Sequence, residues 1–141
     1  MIPLIGKDFP NFLIREINDA KKSIDLCVYD WRFYPERPEH PVSMFNQALV
    51  RAVRRGVRVR ALINSREFVR ILNDMGINAK NPKDKRVLHS KFILIDENTL
   101  SIGSHNFTSN AFTSNYETSV LIDECSCAER FALFFETLYN F

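Results

Sequence analysis

The run His89-Ser90-Lys91-Phe92-Ile93-Leu94-Ile95-Asp96, followed after six residues by Gly103-Ser104-His105-Asn106, decides how this 141-residue chain is read. Residues 91–96 and 99–104 read as two strands joined by a tight turn at Glu97-Asn98. Side chains two apart share a strand face, so His89 and Lys91 point the same way. An imidazole can serve as a nucleophile, and an ammonium beside it neutralises phosphate oxygens. Asp96 is seven positions from His89 and falls on the opposite face, so it is read as structural. Gly103 permits close backbone approach, and Ser104 and Asn106 can hydrogen-bond phosphate oxygens.

Outward from that core, periodicities alternate. Phe9, Leu13, Ile17 and Ala20 recur at helical spacing, with Pro10 suited to a first turn. Residues 24–29 form an apolar run that reads as a strand. Phe45, Ala48, Leu49, Ala52 and Val53 make a helical stripe ending at Gly56. Val57, Val59, Ala61 and Ile63 then alternate with Arg58, Arg60 and Leu62 as a strand. Asn64 or Ser65 caps a helix through Phe68, Leu72 and Met75 to Gly76. Residues 78–87 read as a basic connection, 116–122 as a strand, and Phe131, Phe134, Phe135 and Leu138 as a closing helix. The expected fold is α/β: one domain over 1–141, with a mixed β-sheet flanked by helices on both faces.

With 45% hydrophobic and 26% charged residues, the composition is that of a globular domain. No apolar run approaches the roughly 20 residues of a membrane span, so stable membrane insertion is not expected. Residues 1–8 lack a basic n-region, and a cytoplasmic chain is expected. Cys27, Cys125 and Cys127 are too few for a disulfide framework. Cys125-Ser126-Cys127 lacks companion ligands for a metal, so reduced thiols are expected.

The net charge of +2 hides a segregation, because residues 50–91 carry 12 basic and 3 acidic side chains. Lys80, Lys83, Lys85 and Arg86, just before His89, suit a polyanion. In the loop over 30–38, Trp31, Phe33 and Tyr34 are candidates to stack on unpaired bases, with Arg32 or Arg37 at the backbone. The same aromatics would equally serve as packing on the domain or at a dimer interface. His40, in a proline-rich loop, reads as a surface residue.

Written as a pattern, residues 89–106 are HxKxxxxD and GSxN, and here the chain resembles the phospholipase D superfamily, which this motif defines. The resemblance implies an α/β/α sandwich and cleavage or transfer of phosphodiesters in nucleic acids or phospholipids, without cofactor or metal. Most members carry two such motifs. One motif in 141 residues is similar to the small bacterial nucleases of the superfamily, which work as homodimers. The implied chemistry is a covalent phosphohistidine on His89, with the partner's His89 protonating the leaving oxygen. Lys91, Ser104 and Asn106 would hold the phosphate. Glu117 would orient the imidazole, as a carboxylate beside one ring nitrogen can. His105, at the variable position, is an alternative acid. The expectation is a metal-independent, nonspecific endonuclease acting on DNA or RNA. The alternatives are a phospholipase D or phosphatidyl transferase, and a nucleic-acid-binding module with a vestigial site.

Overall fold

A computed structural model describes residues 1–140. Seven strands form one sheet: β1 (Ile2–Ile5), β2 (Ser23–Val28), β3 (Arg58–Ile63), β4 (Asn78–Lys80), β5 (Phe92–Ile95), β6 (Thr99–Gly103) and β7 (Thr118–Ile122). Among the described residues there are five helices, of which the first four connect strands and the last follows β7: α1 (Asp8–Asp19), α2 (Pro41–Arg54), α3 (Arg66–Asp74), α4 (Ser109–Thr113) and α5 (Ala128–Tyr139). The strand order is β1-β7-β6-β5-β2-β3-β4. β2, β3 and β4 run parallel, joined by the crossovers through α2 and α3. The β2–β5, β5–β6, β6–β7 and β1–β7 pairs are antiparallel. The expected mixed sheet is therefore present.

β2 lies at its centre and is buried along its whole length. Ile24, Leu26 and Val28 face α1 and α2, sharing a core with Leu13, Ile17, Phe45 and Leu49. Cys27, with Leu62, Leu94 and Leu100, faces α5 through Phe135 and Tyr139. Among the described residues helices thus cover both faces, with α5 alone on the second. Arg60 on β3 is buried under α5, where its Nε donates to Asp25 Oδ1 at 2.9 Å and its guanidinium also pairs with Glu136.

Three elements escape the periodicities. β1 has four residues and one proline, tolerated on an edge strand where no ladder donor is needed. β4 is three residues inside the basic connection, and α4 is a single short turn. β5 is shorter than expected, so Lys91 and Asp96 flank it. Asp96 and Glu97 turn the hairpin with φ of 54° and 57°, and Asn98 N–H donates to Ile95 O at 3.1 Å.

His40 is not a surface residue. It is 6% exposed and caps α2: Nδ1 accepts from Val42 N–H at 3.1 Å, and Nε2 lies 3.0 Å from Ser109 Oγ. Burial pushes its pKa down, with Arg37 adding to the shift and Glu39 opposing it. The expected reduced thiols of Cys125 and Cys127 are instead joined to each other, and Cys27 is free and buried. Among the described residues no helix is long and apolar enough to cross a membrane.

The topology sets up one busy edge. The C-terminal ends of β2 and β3, the start of β5 and the end of β6 all meet there, because Phe92 pairs with both Cys27 and Ile102. The opposite edge holds Arg58, whose N–H donates to Lys22 O, and Asp96, whose N–H donates to Ser23 O.

Candidate active site

Buried Leu88 anchors the segment that leads into β5. Its N–H donates to Asn64 Oδ1 at 3.1 Å, and Asn64 Nδ2 donates back to Leu88 O. The next residue, His89, is exposed. Lys91 folds back so that Nζ donates to His89 O at 2.9 Å and stands 3.5 Å from His89 Nδ1. Partial burial pushes the Lys91 pKa down, while the charges of Glu117 and Cys27 act to raise it. The Tyr29 ring lies 5.2 Å from the imidazole, tilted by 54°, and Lys91 Nζ is 5.8 Å from that ring's centre.

β6 ends at Gly103, where a Cβ would collide with Ser119 Oγ, Ser119 Cα and Thr118 O. Only glycine lets this strand end lie flush on β7. Ser104 follows, donating from Oγ to Glu117 Oε1 at 2.6 Å and accepting from Thr118 N–H at 3.0 Å. Asn106 Oδ1 accepts from Asp30 N–H at 3.0 Å. That bond uses the side-chain oxygen and ties Asn106 to the loop after β2, and Asn106 is not among the residues that line the cleft.

His89, Lys91, Gly103 and Ser104 line one cleft of about 750 Å³, whose far wall is Cys127, Arg130, Phe131 and Phe134. Arg86, beside its partner Asp84, lines an adjoining groove of about 330 Å³ that also reaches His89. Lys83 and Lys85 are exposed on the same loop. Among the described residues no three His, Cys, Asp or Glu side chains converge as ligands of a metal ion.

Other expected residues lie elsewhere. Asp96 is at the far end of β5, where its carboxylate accepts from the N–H groups of Lys21 (3.0 Å), Lys22 (2.7 Å) and Ser23 (3.1 Å). Lys80 is turned toward α5: Nζ donates to Tyr139 O at 3.1 Å and sits 4.2 Å above that ring. Trp31 cannot stack on a substrate. It is 1% exposed, its Nε1 donates to Asn46 Oδ1 at 2.8 Å, and its ring meets Phe107 edge-on at 5.0 Å. Arg32 is exposed and pairs with Asp30 at 3.2 Å.

His105 is no candidate acid either. It is 1% exposed, stacked on Phe9 at 4.3 Å. Its Nε2–H donates to Gly6 O at 2.7 Å, so Nδ1 accepts from Ser119 Oγ at 2.7 Å. Burial pushes its pKa down, against the opposing effects of the Gly6 carbonyl and the Glu117 charge. Glu117 does not hold the His89 imidazole within the chain; its oxygens accept from Ser104 and Asn115. The basic segment is divided as well. Arg55 donates to Ile17 O and Ala20 O at the end of α1, Arg51 to Asn18, and Arg60 is in the core. Only its later part, from Lys83 onward, flanks His89.

Tyr29 and Asn64 carry no motif that singles them out for the site. Tyr29's signal is its place at the end of the apolar run that pairs with β5.

The family profile described as "Cardiolipin synthase, PLD-like domain" matches residues 13–139. Human mitochondrial cardiolipin hydrolase is 27% identical over 141 residues, covering 96% of this chain and 52% of its own. Phospholipase D of Rickettsia prowazekii (strain Madrid E) is 28% identical over 130 residues, covering 85% of this chain and 57% of its own. The chain thus spans about half the length of the curated relatives it matches. Among solved structures, the phospholipase D family member Nuc from Salmonella typhimurium superposes with a TM-score of 0.80 at 26% identity. That match covers 98% of this chain and 93% of Nuc.

Proposed function

This chain belongs to the phospholipase D superfamily, and from that premise we propose that it is a metal-independent phosphodiesterase that cuts nucleic acid through His89 in a site shared by two copies. The observation that carries this reading is that His89 is the one exposed histidine of the three, and it opens with Lys91 and Ser104 onto one cleft.

Displacement at phosphorus needs a nucleophile and an acid. His89 Nε2 attacks the phosphorus and forms a P–N bond as the P–O bond to the leaving group breaks. The leaving oxygen takes its proton from the partner's His89, since His40 and His105 are buried and occupied. Water then attacks the phosphohistidine, giving its proton to the partner's His89 as the P–N bond breaks. Lys91 of each copy offsets the phosphate charge, the Asn106 amides donate hydrogen bonds to its oxygens, and Glu117 fixes Ser104 in the cleft.

Nucleic acid is favoured by the resemblance to Nuc over nearly the whole of both chains. Lys83, Lys85 and Arg86 on the loop entering His89 agree with it. A second reading is a phospholipid substrate, favoured by the apolar wall of Phe92, Ile102, Phe131 and Phe134 beside His89 and Lys91.

The test is cleavage of single- and double-stranded DNA and RNA, and of cardiolipin vesicles, in excess EDTA. Wild type is expected to cut nucleic acid, with His89→Ala inert and vesicles untouched. Vesicle turnover without nucleic-acid cleavage would establish the second reading. Binding without any turnover, unchanged by His89→Ala, would leave a binding module.

A further inference from the structure

The turn from β7 to α5 carries Cys125-Ser126-Cys127, and its two cysteines are bonded across a single serine. Neither sheet formation nor phosphate chemistry requires that bond. Both cysteines are half-buried and Ser126 is exposed, so the sulfurs sit at the surface edge of the second core layer.

The bond closes the turn that enters α5, and a backbone hydrogen bond ties that turn to the sheet. Cys125 N–H donates to Asn98 O at 2.9 Å, tying the turn to the β5–β6 hairpin. Cys127 is the residue before α5, and its carbonyl accepts from Arg130 N–H at 3.1 Å. Glu124, just before the pair, is held at φ 49°, a conformation uncommon for a residue with a Cβ. Cys127 also lines the cleft with His89, Lys91 and Ser104, while Arg130, Phe131 and Phe134 project into it from the next turns of α5. The bonded turn and the cleft wall are one piece of chain.

The two sulfurs are inequivalent. Cys127 stands at the N-terminal end of the twelve-residue α5 and lines the cleft. Cys125 lies in the turn beside Glu124 and two residues from Asp123.

We propose that Cys125 and Cys127 form a redox-active pair, a disulfide that exchanges with a small thiol and thereby sets how firmly α5 walls the cleft. A thiolate RS⁻ attacks Cys125 Sγ, forming RS–S(Cys125) and releasing the Cys127 thiolate. A second RS⁻ attacks the R sulfur of that mixed disulfide, giving RSSR and the Cys125 thiolate. Two electrons pass from the small thiol to the protein, and the two thiolates take up solvent protons according to their pKa. The role is independent of which phosphodiester the protein cleaves.

Its test does not use turnover. The whole protein, prepared without reductant, is treated with N-ethylmaleimide before and after incubation with reduced glutathione, and weighed intact. No label before and two after are expected. Buried Cys27, whose thiol burial pushes up to about 12 against the charge of Lys91, stays unlabelled. Hydrogen exchange of amides 128–134 is then compared in the two forms. Exchange on the order of 10-fold faster after reduction is expected. Cys125→Ser, which has no such bond, should match the reduced wild type and ignore glutathione. Two labels before reduction, unchanged exchange, or an equal glutathione response in Cys125→Ser would each overturn the proposal.

Discussion

Replacing Asp96 separates architecture from chemistry at the motif's aspartate. Its carboxylate accepts three backbone N–H bonds from the α1–β2 connection, at 3.0, 2.7 and 3.1 Å. Hydrogen bonds to a charged acceptor contribute about 1.5–3 kcal/mol each, and partial solvent access argues for the lower end. Asp96→Ala, which also places alanine at φ 54°, should cost about 4 kcal/mol. Asp96→Asn keeps one oxygen and a side chain that tolerates that φ, and should cost about 2 kcal/mol. For a domain of this size, those losses lower Tm by roughly 12–20 °C and 6–10 °C. Calorimetry gives both values, and turnover is measured on folded protein well below Tm. Turnover should be retained in both variants. Partial burial acts to raise the Asp96 pKa, but the N–H groups of Lys22, Ser23 and Lys21 outweigh it and hold the carboxyl below its ordinary value. The stability it contributes is complete above about pH 4, the unfolded value, and is lost as pH falls through the lower folded value. A variant with unchanged Tm and abolished turnover would refute this reasoning and move Asp96 into the chemistry.

Other substitutions test the frame around the site. Gly103→Ala puts a methyl into the β7 backbone, and should cost more than about 4 kcal/mol in urea unfolding or prevent folding. Asp25→Ala leaves buried Arg60 short of its bidentate partner and should cost about 3–5 kcal/mol by the same measurement. Trp31 fluorescence should be blue-shifted in the folded protein and unchanged by saturating single-stranded DNA, because the ring is in the core. Since burial holds His105 neutral, stability should decline as pH falls below about 6.5 toward its lower folded pKa, where the unfolded chain binds the extra proton. His105→Gln should reduce the decline seen by thermal melts, leaving the share of His40, whose pKa burial also lowers.

Sequence periodicity was enough for the mixed sheet because β2, β3 and the β5–β6 hairpin carry unbroken apolar or alternating patterns. The spacing of two brings His89 and Lys91 together, although they precede the strand rather than lie on it. What was hidden depends on distant partners. Trp31 is buried because the chain beside it pairs with Phe107, through Arg32 N–H to Phe107 O and Phe107 N–H to Asp30 O. His105 is buried because Gly6, 99 residues away, accepts its Nε2–H. β1 and β4 are too short to show a period of two. The basic segment looked like one patch because linear charge counts ignore that α2 runs antiparallel to β2, carrying Arg51 and Arg55 to the end of α1.

The nucleophile assignment is tested most directly by trapping the intermediate. Excess protein is mixed with a short oligonucleotide in EDTA, quenched in alkali within a turnover, digested and read by mass spectrometry. A nucleotidyl phosphoramidate is expected on the peptide containing His89, absent from His89→Ala. Turnover with no adduct, or an adduct on any other residue, would contradict it.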